Sequence, residues 1–128
     1  MRREATVPAD ASAPSKARAL LDEALPIRFP DDRLHDARLV LTEIVANAVR
    51  HAGWNDRPGE ILLRFDADDA RLRVEVEQPA TAAGVRMVEP PTAVATGGFG
   101  LRLVGMTADD WGHDDGPPGT VWFELSRA

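Results

Sequence analysis

The sequence predicts an α+β fold, a two-layer sandwich with helices on one face of a mostly antiparallel sheet. Three patterns predict it. Two stretches with helical spacing stand early in the chain, ending near residues 25 and 51. Two strictly alternating stretches, EILLRFD and RLRVEVE, follow in tandem across a short polar turn. Their apolar residues fall on one side and their charged residues on the other, so the sheet is expected to be covered on one side only.

The elements follow in order. Residues 4–7 (EATV) read as a short first strand. A first helix starts with Ser12 as the capping residue and Pro14 in the first turn, and it ends before Pro26. Residues 31–51 give the longest helix, capped by Asp31 or Asp32 and stopped at Gly53. Leu34, Ala37, Leu41, Ile44 and Ala48 have the 3, 4, 3, 4 spacing of one buried stripe. Ile61, Leu63 and Phe65, then Leu72, Val74 and Val76, are the inward residues of the two strands, with DADDA turning between them. Residues 78–100 hold three prolines and four glycines and read as a long functional loop. LRLVGMTADDW resumes helical spacing, with Leu101, Val104 and Ala108 on one side. DDGPPG then turns into a last strand, TVWFEL, with Val121, Phe123 and Leu125 inward.

Length and composition narrow the function. The 128 residues suit one domain, 1–128, and 44% apolar content supports a real core. A net charge of -6 gives little attraction for a phosphate backbone, so no direct nucleic-acid partner is expected. There are no cysteines, which excludes disulfides, thiolate metal sites and a cysteine nucleophile. No apolar run approaches the roughly 20 residues of a membrane helix. The start MRREATVPAD lacks a signal peptide's apolar segment, so a soluble cytoplasmic protein is expected.

Chemistry concentrates in LTEIVANAVRHA. Glu43, Asn47 and His51 recur every four residues, and each such step advances only about 40° around a helix. They form one row beside Val40 and Ile44, at the rim of the buried stripe. A carboxylate there can accept a proton, and an amide oxygen suits Mg²⁺, which takes few protein ligands. A solvated flank that carries three polar residues fits the spacing equally. Downstream, GGFG at Gly97 to Gly100 precedes a helix. Backbone N–H groups in such a loop can turn toward an anion, and a flexible turn would look the same. No GxxxxGK[ST] is present. His35 reads as a surface helix residue and His113 as a loop residue; with His51 they lack metal-ligand spacing. Trp54, Trp111 and Trp122 read as packing residues, and no serine has a nucleophile context.

ExxxNAxxH, two strands, a long loop, GxGL at a helix start and GTVWFEL, in this order, resemble the GHKL ATPases over nearly the whole chain. The chain looks most like their small anti-sigma factor serine kinases. The resemblance implies the Bergerat fold, with ATP held between helices and sheet. It implies that Glu43 is the general base, Asn47 the Mg²⁺ ligand, and Gly98 and Gly100 the phosphate-binding glycines, with Leu101 completing their motif. Residues 80–97 would be a lid over ATP, and Thr120 would support the adenine. The partners it implies are a sigma factor and an anti-sigma factor antagonist protein, with a tendency to form homodimers and no role for a membrane. His51 is expected to hold the end of its helix.

One motif departs from the family. An Asp-x-Gly segment, whose Asp accepts the adenine amino group, normally follows the second of these strands. Here Gln78 replaces the Asp and Ala80 the Gly. A glutamine amide can both donate to and accept from adenine, whereas an added methyl opposes close backbone approach. A poorly met polar group costs about 1–3 kcal/mol. The sequence therefore carries two functions. One is an Mg·ATP-dependent serine kinase that sequesters a sigma factor. The other is a partner-binding module that has kept the fold and lost ATP.

Overall fold

A computed structural model describes residues 2–25, 30–51, 59–77, 107–114 and 119–126. They form β1 (Arg2–Pro8), α1 (Ala13–Ala24), α2 (Asp31–His51), β2 (Glu60–Ala67), β3 (Arg71–Glu77), β4 (Asp110–Asp114) and β5 (Thr120–Ser126). The strands make one sheet in the order β1-β2-β3-β5-β4, and every neighbouring pair is antiparallel. The two-layer α+β arrangement expected from the sequence is the one observed.

Alternation sets the layers. Ile61, Leu63, Phe65 and Ala67, Leu72, Val74 and Val76, and Val121, Phe123 and Leu125 are buried beneath the helices, with Ala13, Ala17, Leu21, Ala37, Val40, Leu41, Ile44, Val45 and Ala48 above them. The helices lie side by side. α1 packs on β1 and β2, and α2 on β3 and β5. Arg18 on α1 donates to Thr42 on α2 at 3.0 Å, and Arg38 pairs with Asp22 across the same seam.

Several local readings need correction. Ser12 occupies the N-cap position of α1 but makes no side-chain cap bond. Asp10 nucleates the turn instead, accepting the Ser12 N–H at 2.8 Å through its side chain and the Ala13 N–H at 3.0 Å through its carbonyl. The Ser12 hydroxyl donates to the same carboxylate, and that bond, followed by the one from the Ser12 N–H, holds the Asp10 carboxyl below its usual range. Asp31 and Asp32 lie inside the first turn of α2, where carboxylates complement the helix dipole. Pro30 stands before them, its carbonyl accepting the Leu34 N–H at 2.8 Å. α1 does stop ahead of Pro26: Leu25 is already extended at φ -80, ψ 141.

The larger correction concerns the region around Trp111. The sequence pattern runs a helix through Trp111, but only Thr107 is helical among the described residues there, and Asp110–Asp114 is a strand. The Asp109 N–H donates to the Glu124 carbonyl at 2.9 Å, and Trp111 lies opposite Phe123 and packs on the core. Pairing with β5 overrides the helical spacing. His113, expected in a loop, belongs to this strand. The stop at Gly53 and the helix positions Leu101 and Val104 lie outside the described residues.

Candidate functional site

α2 carries the chemistry because two of its flanks have different neighbours. Arg38 and Thr42 face α1. At about 100° per residue, Asn47 is about 140° around from Thr42 and about 180° from Arg38. Glu43 and Asn47 therefore sit on the flank turned away from α1. Because α1 overlies β1 and β2 while α2 itself packs on β3 and β5, that flank looks toward the β5 and β4 side of the sheet.

Burial grades along this row. Glu43 is half-buried, whereas Asn47 is only 4% exposed and is the one buried polar side chain among the described residues. Asparagine is a weak helix former, and a buried amide is costly unless satisfied. The stripe of Ala37, Leu41, Ile44 and Ala48 already anchors the helix, so packing alone does not call for an amide here. One turn earlier, about 6 Å along the axis, Glu43 stays in partial contact with water. The row thus runs from a half-buried acid to a buried amide at the rim of the core.

Another residue singled out by the sequence, Thr120, lies on the sheet. β3 finishes at Glu77 and β5 begins at Thr120, and these two residues are partners in the ladder. Thr120 is half-buried and shares the alternation of Trp122 and Glu124, while Val121, Phe123 and Leu125 point to the core. Its side chain therefore stands on the open face of the sheet. On the helix side that position falls to Gly119, which is buried and has no side chain.

The sequence matches the histidine kinase-like ATPase domain family over residues 7–122, nearly the whole chain. The chain belongs to that family. No curated protein matches the sequence significantly. Membership makes a nucleotide the expected class of ligand.

Of the other residues singled out by sequence, Gln78, Ala80, Gly97, Gly98, Gly100 and Leu101 lie outside the described residues, as do the side chain of His51 and the lid expected over 80–97. Among the described residues, no group of three or more His, Cys, Asp or Glu could hold a cation by itself, and none of their helices is long and apolar enough to cross a membrane. The Asn47 amide oxygen has the chemistry of a hard donor, and a magnesium shell completed by water and phosphate oxygens would need few such protein ligands.

Sequence reasoning missed the organisation of the open face. Arg64 bridges Glu4 at 3.1 Å, Glu75 at 3.5 Å and Glu77 at 3.0 Å. Arg73 pairs with Glu75 at 3.1 Å and Glu124 at 2.7 Å, and lies 4.2 Å from the centre of the Trp122 ring. That ring also meets Gly112, where an added Cβ would stand 2.8 Å from ring atoms. A shallow depression of about 400 Å³ opens among Arg2, Glu4, Arg64, Asp66, Arg73 and Glu75. It lies across the sheet from Asn47, and within it Arg64 pairs with Glu4 and Glu75, and Arg73 with Glu75. The alternation of Arg and Glu in RLRVEVE predicted the charge of this face; the pairing across strands needed the register.

Proposed function

We propose that this domain is an anti-sigma factor-type regulator that binds Mg·ATP, phosphorylates a serine on an anti-sigma factor antagonist protein, and holds a sigma factor in the alternative complex. The observation that carries it is the pairing of a half-buried Glu43 with a buried Asn47 on the open flank of α2. In this reading Glu43 accepts the serine proton as the hydroxyl oxygen bonds to the γ-phosphorus and the bond to the ADP oxygen breaks. The Asn47 carbonyl oxygen would hold magnesium, which neutralises charge on the phosphates. Gly98 and Gly100, with Leu101 after them, would meet the phosphates through backbone N–H groups. Gln78 would meet the adenine. The assembly would act in the cytoplasm, as a homodimer, with protein partners and neither nucleic acid nor membrane.

A second reading keeps the fold as a partner-docking scaffold without ATP. Two observations favour it: Gln78 and Ala80 replace the family's Asp and Gly, and the Thr120 hydroxyl stands on the open face. Calorimetric titration with ATP and ADP, with and without Mg²⁺, separates the two. Magnesium-dependent binding at micromolar affinity supports the kinase; no heat at millimolar nucleotide from folded protein supports the scaffold. If nucleotide binds, Glu43→Gln should retain it and lose at least about 100-fold in transfer rate. Unchanged transfer removes Glu43 from the role.

A further inference from the structure

We propose that the charged face of the sheet locks the register of the edge strand β1, and that through β1 it sets where the helix layer lies. β1 and β2 are separated in sequence by both helices, so no tight turn fixes their pairing. The β2-β3 hairpin differs. There the Asp68 carboxylate accepts the Ala70 and Arg71 N–H groups at 2.7 and 2.8 Å, and the turn itself sets the register.

The apolar face forbids only some of the errors open to β1. A one-residue slip would turn Thr6 toward the core in place of Val7. A two-residue slip keeps Val7 on the core side, and in one direction sets it opposite Leu63, which is as buried as its present partner Ile61. The other face separates these cases. Arg2 lies opposite Asp66 and Glu4 opposite Arg64, whose Nε donates to Glu4 at 3.1 Å. Arg3, between them, turns the other way and pairs with Glu23 on α1 at 3.1 Å. Slipping β1 by two residues sets Arg2 against Arg64 in one direction and Glu4 against Asp66 in the other. Like charges directly opposite destabilise a ladder. An exposed ion pair adds little stability by itself, but a choice among registers needs only a difference, and here two cross-strand pairs change together. Such a slip moves the strand by about 7 Å. Only residues 9–12 join β1 to α1, in a turn held by Asp10. α1 would have to follow, and its bonds to α2, from Arg18 to Thr42 and from Arg38 to Asp22, would part.

The chain has no cysteine, so engineered pairs report the register directly. Thr6→Cys with Leu62→Cys joins residues that are opposite in the native ladder. Thr6→Cys with Glu60→Cys, and Pro8→Cys with Leu62→Cys, become opposite only after a two-residue slip in one direction or the other. With no other change, only the 6–62 bridge should form on mild oxidation. Exchanging the two charges, Arg2→Glu with Glu4→Arg, keeps the net charge and sets like charges opposite in the native register. It should lower the 6–62 yield about tenfold and raise one slipped bridge by a similar factor. An unchanged 6–62 yield overturns the proposal. So does loss of that bridge from folded protein with no gain in either slipped one, since β1 would then have detached and not shifted. If the exchanged chain does not fold, Arg2→Gln with Glu4→Gln decides: without charge at either position slipped bridges should appear beside the native one, and the native bridge alone overturns the proposal.

Discussion

Replacing Asn47 by leucine separates a functional amide from a structural one. Leucine has the same branching and the same number of side-chain heavy atoms, so the 4%-exposed site needs no new space. Among the described residues no side-chain N or O atom is fully buried without a partner, so an amide kept for a ligand leaves the nucleotide-free protein a partial desolvation deficit, at the low end of the about 1–3 kcal/mol of mutational data. Helix propensity adds a few tenths of a kcal/mol in favour of leucine. Asn47→Leu should therefore stabilise the empty domain by about 1 kcal/mol, a few degrees in Tm for a chain of this size. The same change should abolish magnesium-dependent nucleotide binding. Urea unfolding without ligand gives the first quantity and calorimetry the second. A loss of more than about 1 kcal/mol on unfolding would refute the reasoning, because it would mean that the amide satisfies core partners.

Other perturbations test the surrounding frame. Gly112→Ala should cost about 1–3 kcal/mol by overpacking, because its methyl would meet the Trp122 ring at 2.8 Å; tryptophan emission should shift with it, and an unchanged urea midpoint would contradict the contact. Thr120→Val should leave nucleotide Kd values within about twofold, since the side chain stands on the open face; a loss of about tenfold would place the hydroxyl in the site. Glu124 lies below its ordinary pKa, first through its hydrogen bond from Arg73 and then through Arg71. A depressed folded pKa means stability that is complete above the unfolded glutamate value, about 4.3, and lost as pH falls through the lower folded one. The urea midpoints of wild type and Glu124→Gln should differ at pH 7 and converge on acidification through that range. A difference that grows on acidification would reverse the sign.

The fold was legible where periodicity was strong. EILLRFD and RLRVEVE show their faces residue by residue, and the stripe on α2 is buried as its spacing requires, with only Leu34 half-buried. β4 was not legible, since DWGHD has no apolar alternation. It is a strand because β5 offers it an edge and Trp111 reaches the core, both tertiary effects that override local pattern. For the candidate site, the row of Glu43 and Asn47 could be read from spacing, but which flank of α2 faces away from α1 depended on where α1 packs. Thr120 was read from the residue order of GTVWFEL, whereas the side it faces follows from strand register, and a one-residue offset reverses it.

The strand order carries a consequence for how the molecule assembles. β5 is the last described element in sequence, yet it lies inside the sheet between β3 and β4. Its partner β3 lies about 50 residues upstream, so closing this ladder waits on a long loop and is slow by the logic of contact order. Until residues 120–126 are in place, β3 presents an unpaired edge with Leu72, Val74 and Val76 beside it. During synthesis β1, both helices and the β2-β3 hairpin therefore emerge as an intermediate with an open sheet edge. That interval is when the domain is most exposed to misassociation or to capture by a chaperone.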